Sequence, residues 1–349
     1  MNNIIKEDVI QIIEDNEMEK LKNKTILITG ATGMIGSYFI NTLIMLNEKY
    51  NMNINILALI RNKNKFEDYI LNNKKVTIIE QDVTNPINYD GNIDYIVHAA
   101  SPASPKIMKD FPFETNIANT IGTYNTLKLA LEKKSLGYLF ISSREIYGQP
   151  QENQDLFTED GLLGQVNPLV PRNGYAEGKK AAENMCVSAK QEYGLNVKIV
   201  RLAHIYGPGM SIYDGRVQAD FLKNVLNQED IIMKSTGESV RTYTYISDAI
   251  NAMFKVLLSS QDIVYNISDE SSKITIKELA HLLTELSENN IKVVMDIPKE
   301  EVNKGGNSSF TQGILSSQKI RDELNWTPVY SIKDGFLRTI KYLESIRSR

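Results

Sequence analysis

Tyr175 and Lys179 stand four residues apart in YAEGK, a spacing that puts both side chains on one face of a helix. A tyrosine hydroxyl so placed can exchange a proton with a substrate oxygen once its pKa falls from about 10, and a lysine ammonium one turn away favours that fall. The spacing alone is weak evidence, because about one such pair is expected by chance in a chain of this length. Tyr124 and Lys128 repeat it. Position separates the two pairs. Tyr175 opens a helix just after a long loop, and that loop follows an apolar strand ending in Ser142-Ser143-Arg144-Glu145. In an open α/β sheet, ligands sit at the carboxyl ends of the strands, where Ser143 and Tyr175 can meet. Tyr124 reads instead as part of a structural helix.

A second constellation is Gly30-Ala31-Thr32-Gly33-Met34-Ile35-Gly36, between the apolar run TILIT and a helical pattern from Met34 to about Tyr50. A helix N-terminus offers unpaired N–H groups and about half a positive charge, which suits a pyrophosphate. Glycines are required where the chain turns tightly, nears the phosphates and packs helix on strand. The order strand–glycines–helix makes this a dinucleotide loop; no GK[ST] follows, so it is not a P-loop. A bound nicotinamide cation would add to the pull of Lys179 on Tyr175. The second strand ends in Arg61-Asn62-Lys63, with no carboxylate before Glu67. A carboxylate there would bind the ribose of NAD, and an arginine can receive the 2′-phosphate of NADP. The expected cofactor is NADP, with NAD as the other option; otherwise Arg61 and Lys63 are solvated charges.

The elements that must position these residues alternate. Strands are expected at 25–29, 54–60, 76–80, 93–98, 137–142 and 197–202, and helices at 115–132 and 175–193. Continuous apolar strands between helices imply an α/β fold with a doubly wound parallel sheet of Rossmann type. The loop 150–174 is long enough to be functional. Beyond 204 the order loosens into helices near 217–227, 247–258 and 275–288 and a strand at 263–267. The expected organisation is an amphipathic lead-in helix within 1–23, a dinucleotide-binding domain at 24–204 and a smaller C-terminal α/β lobe at 205–349. Strand 263–267 is free to return to the sheet. Ile5, Val9, Ile12 and Ile13 of the lead-in helix should pack on the domain or on a partner subunit.

The 349 residues carry 39 Lys plus Arg and 43 Asp plus Glu, a net charge of −4, with no basic excess of the kind a nucleic-acid binder shows. One cysteine, Cys186, cannot form an internal disulfide, which points to a reducing, cytoplasmic setting. Three scattered histidines and no CxxC give no reason to expect a metal. No apolar run approaches a membrane span.

GATGMIG, SSREIYG, YAEGK and IYGPGM together resemble the extended short-chain dehydrogenase/reductase family of nucleotide-sugar epimerases, dehydratases and decarboxylases. The likeness runs from about 24 to 258 and returns at LNWTP (324–328). HAASPASP (98–105), NTIGT (119–123), VNPLVPRNGYAEGKKAAE (166–183), YDGRV (213–217) and RTYTYISD (241–248) resemble the UDP-glucuronate decarboxylase branch most. The resemblance implies that Ser143 hydrogen-bonds the sugar hydroxyl or keto oxygen and that Tyr175 exchanges its proton. Lys179 would hold the nicotinamide ribose, and Glu145 would handle ring chemistry after oxidation. Asp82 and Val83 would meet the adenine, and Ala99, Ala100 and Ser101 would line the cofactor. Asn119 would support the cofactor-side helix, with Arg216 and Arg241 near the nucleotide diphosphate. As residues alone, Arg216 and Arg241 could equally make surface ion pairs. A homodimer through helices 115–132 and 175–193 is also implied.

The chain departs from the family pattern in places. Arg144 stands where 4,6-dehydratases carry an acidic aspartate, and a guanidinium cannot donate that proton, so dehydration is disfavoured. His204 replaces the asparagine of the RxxN strand end; it is either a substrate-side residue, like Arg144, or a hydrogen-bonded interior histidine. The arginine expected before the tail motif is missing from TQGIL (311–315). The reading favoured on residues is keto reduction of a nucleotide-linked sugar by NADPH, which needs only Ser143, Tyr175, Lys179 and a hydride. The alternative is decarboxylation, epimerisation or dehydration with a recycled NAD. A non-catalytic dinucleotide sensor is disfavoured by the intact Ser143–Tyr175–Lys179 set.

Overall fold

The computed structural model describes residues 1–150, 154, 156–161, 163–164, 166–288, 290–297 and 314–347. Seven parallel strands form one sheet: β1 (Thr25–Thr29), β2 (Asn55–Ile60), β3 (Val76–Glu80), β4 (Tyr95–His98), β5 (Gly137–Ser143), β6 (Val197–Leu202) and β7 (Val264–Ile267). Their spatial order is β7-β6-β5-β4-β1-β2-β3. The order reverses between β1 and β4, and that switch point opens a crevice at the carboxyl ends of the strands. The strand expected at 263–267 has joined the sheet, paired with β6 through Val264↔Ile199 to Ile267↔Leu202.

Alternation along the strands divides the core. Ile26 and Ile28 of β1 and Ile56, Ala58 and Ile60 of β2 point to one face. There they meet helices α1 (Asn3–Glu14), α2 (Met34–Tyr50) and α6 (Ile246–Ser259). Leu27, Leu57 and Leu59 point to the other face, against α3 (Pro112–Lys133) and α4 (Gly174–Tyr193). Helices α5 (Val217–Asn227), α7 (Ile276–Leu286) and α8 (Ile332–Arg347) lie in the C-terminal part.

The lead-in helix packs on the domain itself. Ile5, Val9, Ile12 and Ile13 are buried, and so is Asp8. Asp8 accepts hydrogen bonds from Tyr38 of α2 at 2.7 Å, Tyr245 at 3.0 Å and Arg338 of α8 at 2.7 Å. Burial still raises its pKa above the usual carboxylate range, against the pull of Arg338. The tail motif is anchored in the same way: Asp248 accepts from the backbone N–H groups of Val329 and Tyr330 at 3.0 and 3.2 Å. Among the described residues, no helix is long and apolar enough to cross a membrane. Of the TQGIL stretch, 311–313 lie outside the described residues.

Candidate active site

The glycine loop leaves β1 with Gly30 at φ +64°, a left-handed turn that disfavours side chains. A Cβ on Gly30 would sit 2.8 Å from the backbone of Ala100, and one on Gly36 would sit 2.5 Å from the carbonyl oxygen of Gly30. The first turn of α2 is thereby pressed against β1 and the end of β4. Gly33 caps α2 without a side-chain bond, so the N–H groups around Met34 and Ile35 stay open toward the crevice. These observations fit a dinucleotide pyrophosphate.

The flanks of the crevice are ordered by buried polar chains. The Ala100 N–H donates to Thr29 Oγ1 at 3.1 Å, and Thr29 Oγ1 lies 2.8 Å from His98 Nδ1. His98 Nε2 lies 3.2 Å from Thr123 Oγ1, which donates to the Asn119 carbonyl at 2.6 Å. Because Thr123 spends its proton on Asn119, the proton of neutral His98 is assigned to Nε2. Burial lowers the His98 pKa to about 3, so the ring stays neutral. Ser101 donates to Asn119 Oδ1 at 2.7 Å, while Asn119 Nδ2 is buried without a partner. Asp82 accepts from the Thr84 N–H at 2.9 Å, and Val83 is buried against α3 beside Gly122. Arg61 projects past β2, exposed.

Ser143 ends β5, and its side chain accepts from the Glu145 N–H at 3.2 Å as a short turn begins. Tyr175, in the first turn of α4, is buried beside Ser143 and Ser101, both of which favour its ionised form. The expected convergence of serine and tyrosine is therefore present. The expected fall in the tyrosine pKa is not supplied by the protein. Burial, with the nearby Glu145 carboxylate, pushes Tyr175 up to about 12, against smaller opposing effects of Ser143, Arg216 and Ser101. Lys179 is turned toward the sheet: its Nζ donates to the Ile141 carbonyl at 2.7 Å and sits 6.0 Å from the Tyr175 ring centroid. Burial lowers its pKa to about 7, against the pull of Glu183. Tyr124 is 53% exposed on the outer side of α3.

The side of the site beyond Ser143 is crowded with cations. Glu145 is gripped by Arg172 through two hydrogen bonds, 2.6 and 2.9 Å long. Sequence reasoning missed Arg172; its signal was a basic residue three positions before the tyrosine, on the long loop. Arg144 is buried between this pair and Arg241, and burial lowers its pKa to about 10. His204, at φ +37°, presents Nδ1 to the Thr242 carbonyl at 3.1 Å. A carbonyl only accepts, so the proton is assigned to Nδ1. Burial and then Arg144, Arg241 and Arg216 hold His204 well below its ordinary pKa. It is thus a neutral member of the arginine cluster. Arg216 donates to the Ala103 carbonyl at 2.9 Å and pairs with Asp214 at 3.5 Å. Arg241 donates to its neighbour Val240. A cleft of about 1070 Å³ opens beside this cluster, lined by Arg144, Glu145, Asn167, Arg172, Asn173 and Lys180 among others.

The sequence model of the NAD dependent epimerase/dehydratase family matches residues 26–268, which span the sheet and the whole constellation. The chain belongs to this family. UDP-glucuronic acid decarboxylase 6 of Arabidopsis thaliana is 30% identical over 90% of this chain and 87% of its own. UDP-glucuronic acid decarboxylase 1 of Xenopus tropicalis is 29% identical over 91% of this chain and 72% of its own. Among solved structures, the UDP-glucose 4-epimerase of Thermotoga maritima superposes with a TM-score of 0.78 at 23% identity, covering 93% of this chain and 99% of that one. The fold of this family is therefore that of this chain.

Proposed function

We propose that the protein transforms a nucleotide-linked sugar with a nicotinamide that is reduced and reoxidised within one turnover, as a decarboxylase or epimerase. The observation that carries this reading is the meeting of Ser143 and Tyr175 beside Glu145, next to the glycine crevice. A bound nicotinamide supplies the hydride acceptor. Tyr175 takes the proton of the sugar hydroxyl as it is oxidised and returns one when the oxygen is reduced again, while Ser143 hydrogen-bonds that oxygen. Lys179, once swung from Ile141, holds its charge near the Tyr175 oxygen and so favours the phenolate. Glu145, fixed by Arg172, is a second acid–base group for steps on the ring. Net keto reduction by NADPH needs fewer groups than are present, and the decarboxylase relatives favour the recycled cofactor instead. Arg61 supports NADP, and the activity of the family supports NAD. The free, buried Cys186 suits a reducing cytoplasm. Residues on the outer face of α3 and α4 suit a homodimer.

The test is to incubate the protein with UDP-glucuronic acid or UDP-glucose and a trace of NAD or NADP. Product mass and absorbance of reduced nicotinamide are followed together. Product accumulating beyond the amount of cofactor, with no net change in absorbance, supports the reading. A parallel incubation of a 4-keto nucleotide sugar with stoichiometric NADPH that consumes one NADPH per product, with no turnover of the first two sugars, would return the assignment to keto reduction.

A further inference from the structure

Arg144 is the anomaly of the site. Its residue is 9% exposed, yet Nε is buried with no hydrogen-bond partner. The guanidinium makes no ion pair among the described residues. The nearest carboxylate, Glu145, is already held at both oxygens by Arg172. Arg241 and Arg172 add repulsion, and His204 is neutral. Glu145 offsets part of that charge without bonding to it; a buried cation with no carboxylate bonded to it is costly, and a ligand can complete it. Arg144 also lines the cleft, so an anion entering from solvent can reach it.

We propose that Arg144 recognises a carboxylate carried by the sugar of the substrate. This rests on the nucleotide-sugar reading and sharpens it. Arg144 lies between Ser143 and Glu145, at the sugar-reacting end of the site, whereas Arg216 is already committed to the Ala103 carbonyl and Asp214. A planar guanidinium matches a carboxylate at two points, and a singly charged group tolerates the neighbouring Glu145 better than a doubly charged phosphate would. The residue that disfavours dehydration thereby gains a role of its own: it selects a uronic-acid sugar over a neutral one.

The experiment is calorimetric titration of UDP, UDP-glucose and UDP-glucuronic acid into the full chain, in a Tyr175→Phe background that stops turnover. Arg144 is compared with Arg144→Gln and Arg144→Lys, each checked by thermal melting. UDP-glucuronic acid should bind about 10–100-fold tighter than UDP-glucose, the range expected for a charged hydrogen bond. Arg144→Gln should abolish that preference and leave UDP affinity unchanged; Arg144→Lys should keep part of it. Without ligand, Arg144→Gln should melt no lower than the parent, because it removes an unpaired buried charge. Equal binding of the two sugars by the parent overturns the proposal while the nucleotide-sugar reading stands. A loss of UDP affinity in Arg144→Gln overturns it too, by assigning Arg144 to the diphosphate. A clear drop in melting temperature would make Arg144 structural and likewise overturn it. Failure of the parent to bind UDP at all overturns the broader reading as well.

Discussion

Tyr175 and Tyr124 stand at the same spacing from a lysine and in opposite environments. Tyr175 is buried against Ser143 and Ser101, and Tyr124 faces outward from α3. Tyr175→Phe keeps the ring and removes the proton, so turnover should fall by about 10²–10⁴-fold with cofactor affinity nearly unchanged. Tyr124→Phe should keep most of its activity. Steady-state rates and cofactor titrations of the two variants decide it, and a dead Tyr124→Phe beside an active Tyr175→Phe would relocate the site. Because the protein alone raises Tyr175 to about 12, the phenolate of the proposed mechanism would need Lys179 and a bound cofactor. Arg61 offers a second test at this scale. If it receives a 2′-phosphate, Arg61→Asp should weaken NADPH binding and spare NADH, as read by fluorescence titration. Tighter NADH binding by the parent, with no loss of NADPH affinity in the variant, would assign Arg61 to the solvated surface.

Helix α1 shows what an element adds beyond its sequence pattern. Its apolar stripe was legible, since a helical period is local, and so were β1, the glycine loop and the start of α4. Asp8 was not, because its partner Arg338 lies 330 residues away. The Glu145–Arg172 pair was hidden for the same reason, spanning 27 residues across a loop. Residue types mark a strand or a turn; they do not mark which distant charges a fold brings together. Arg338→Met should therefore destabilise the protein by about 3–5 kcal/mol at neutral pH, by leaving Asp8 buried without its counter-charge. The pH dependence has a definite sign. The folded-state pKa of Asp8 is already raised and would rise further in the variant. Its stability contribution is then present below the unfolded carboxylate value and is lost as pH rises through the folded one. The deficit of the variant should shrink on moving from neutral pH toward about pH 4. Denaturant midpoints across that range measure it, and a constant deficit would show that Asp8 is not the group responsible.

Across the whole molecule, α3 and α4 present two different faces. Inward, Leu127, Ala130, Ala182 and Cys186 close one side of the sheet. Outward, Ile121, Tyr124 and Val187 remain 42%, 53% and 42% exposed. Scattered apolar residues on a surface need no explanation, but a shared stripe on two adjacent helices is the kind of patch that a second copy covers. The same patch on two copies can meet about a two-fold axis, giving a closed, isologous contact of four helices. Such a contact would also stiffen α4, whose first turn holds Tyr175. The parent protein should therefore show the mass of a dimer in light scattering at micromolar concentration. A charge placed on each copy at the centre of the patch, as in Tyr124→Asp, opposes its symmetry mate and should give the monomer mass with the fold intact by circular dichroism. Tyr124→Phe keeps the apolar ring and should stay dimeric. A parent that is monomeric under these conditions would leave the outer face of α3 without the partner assigned to it.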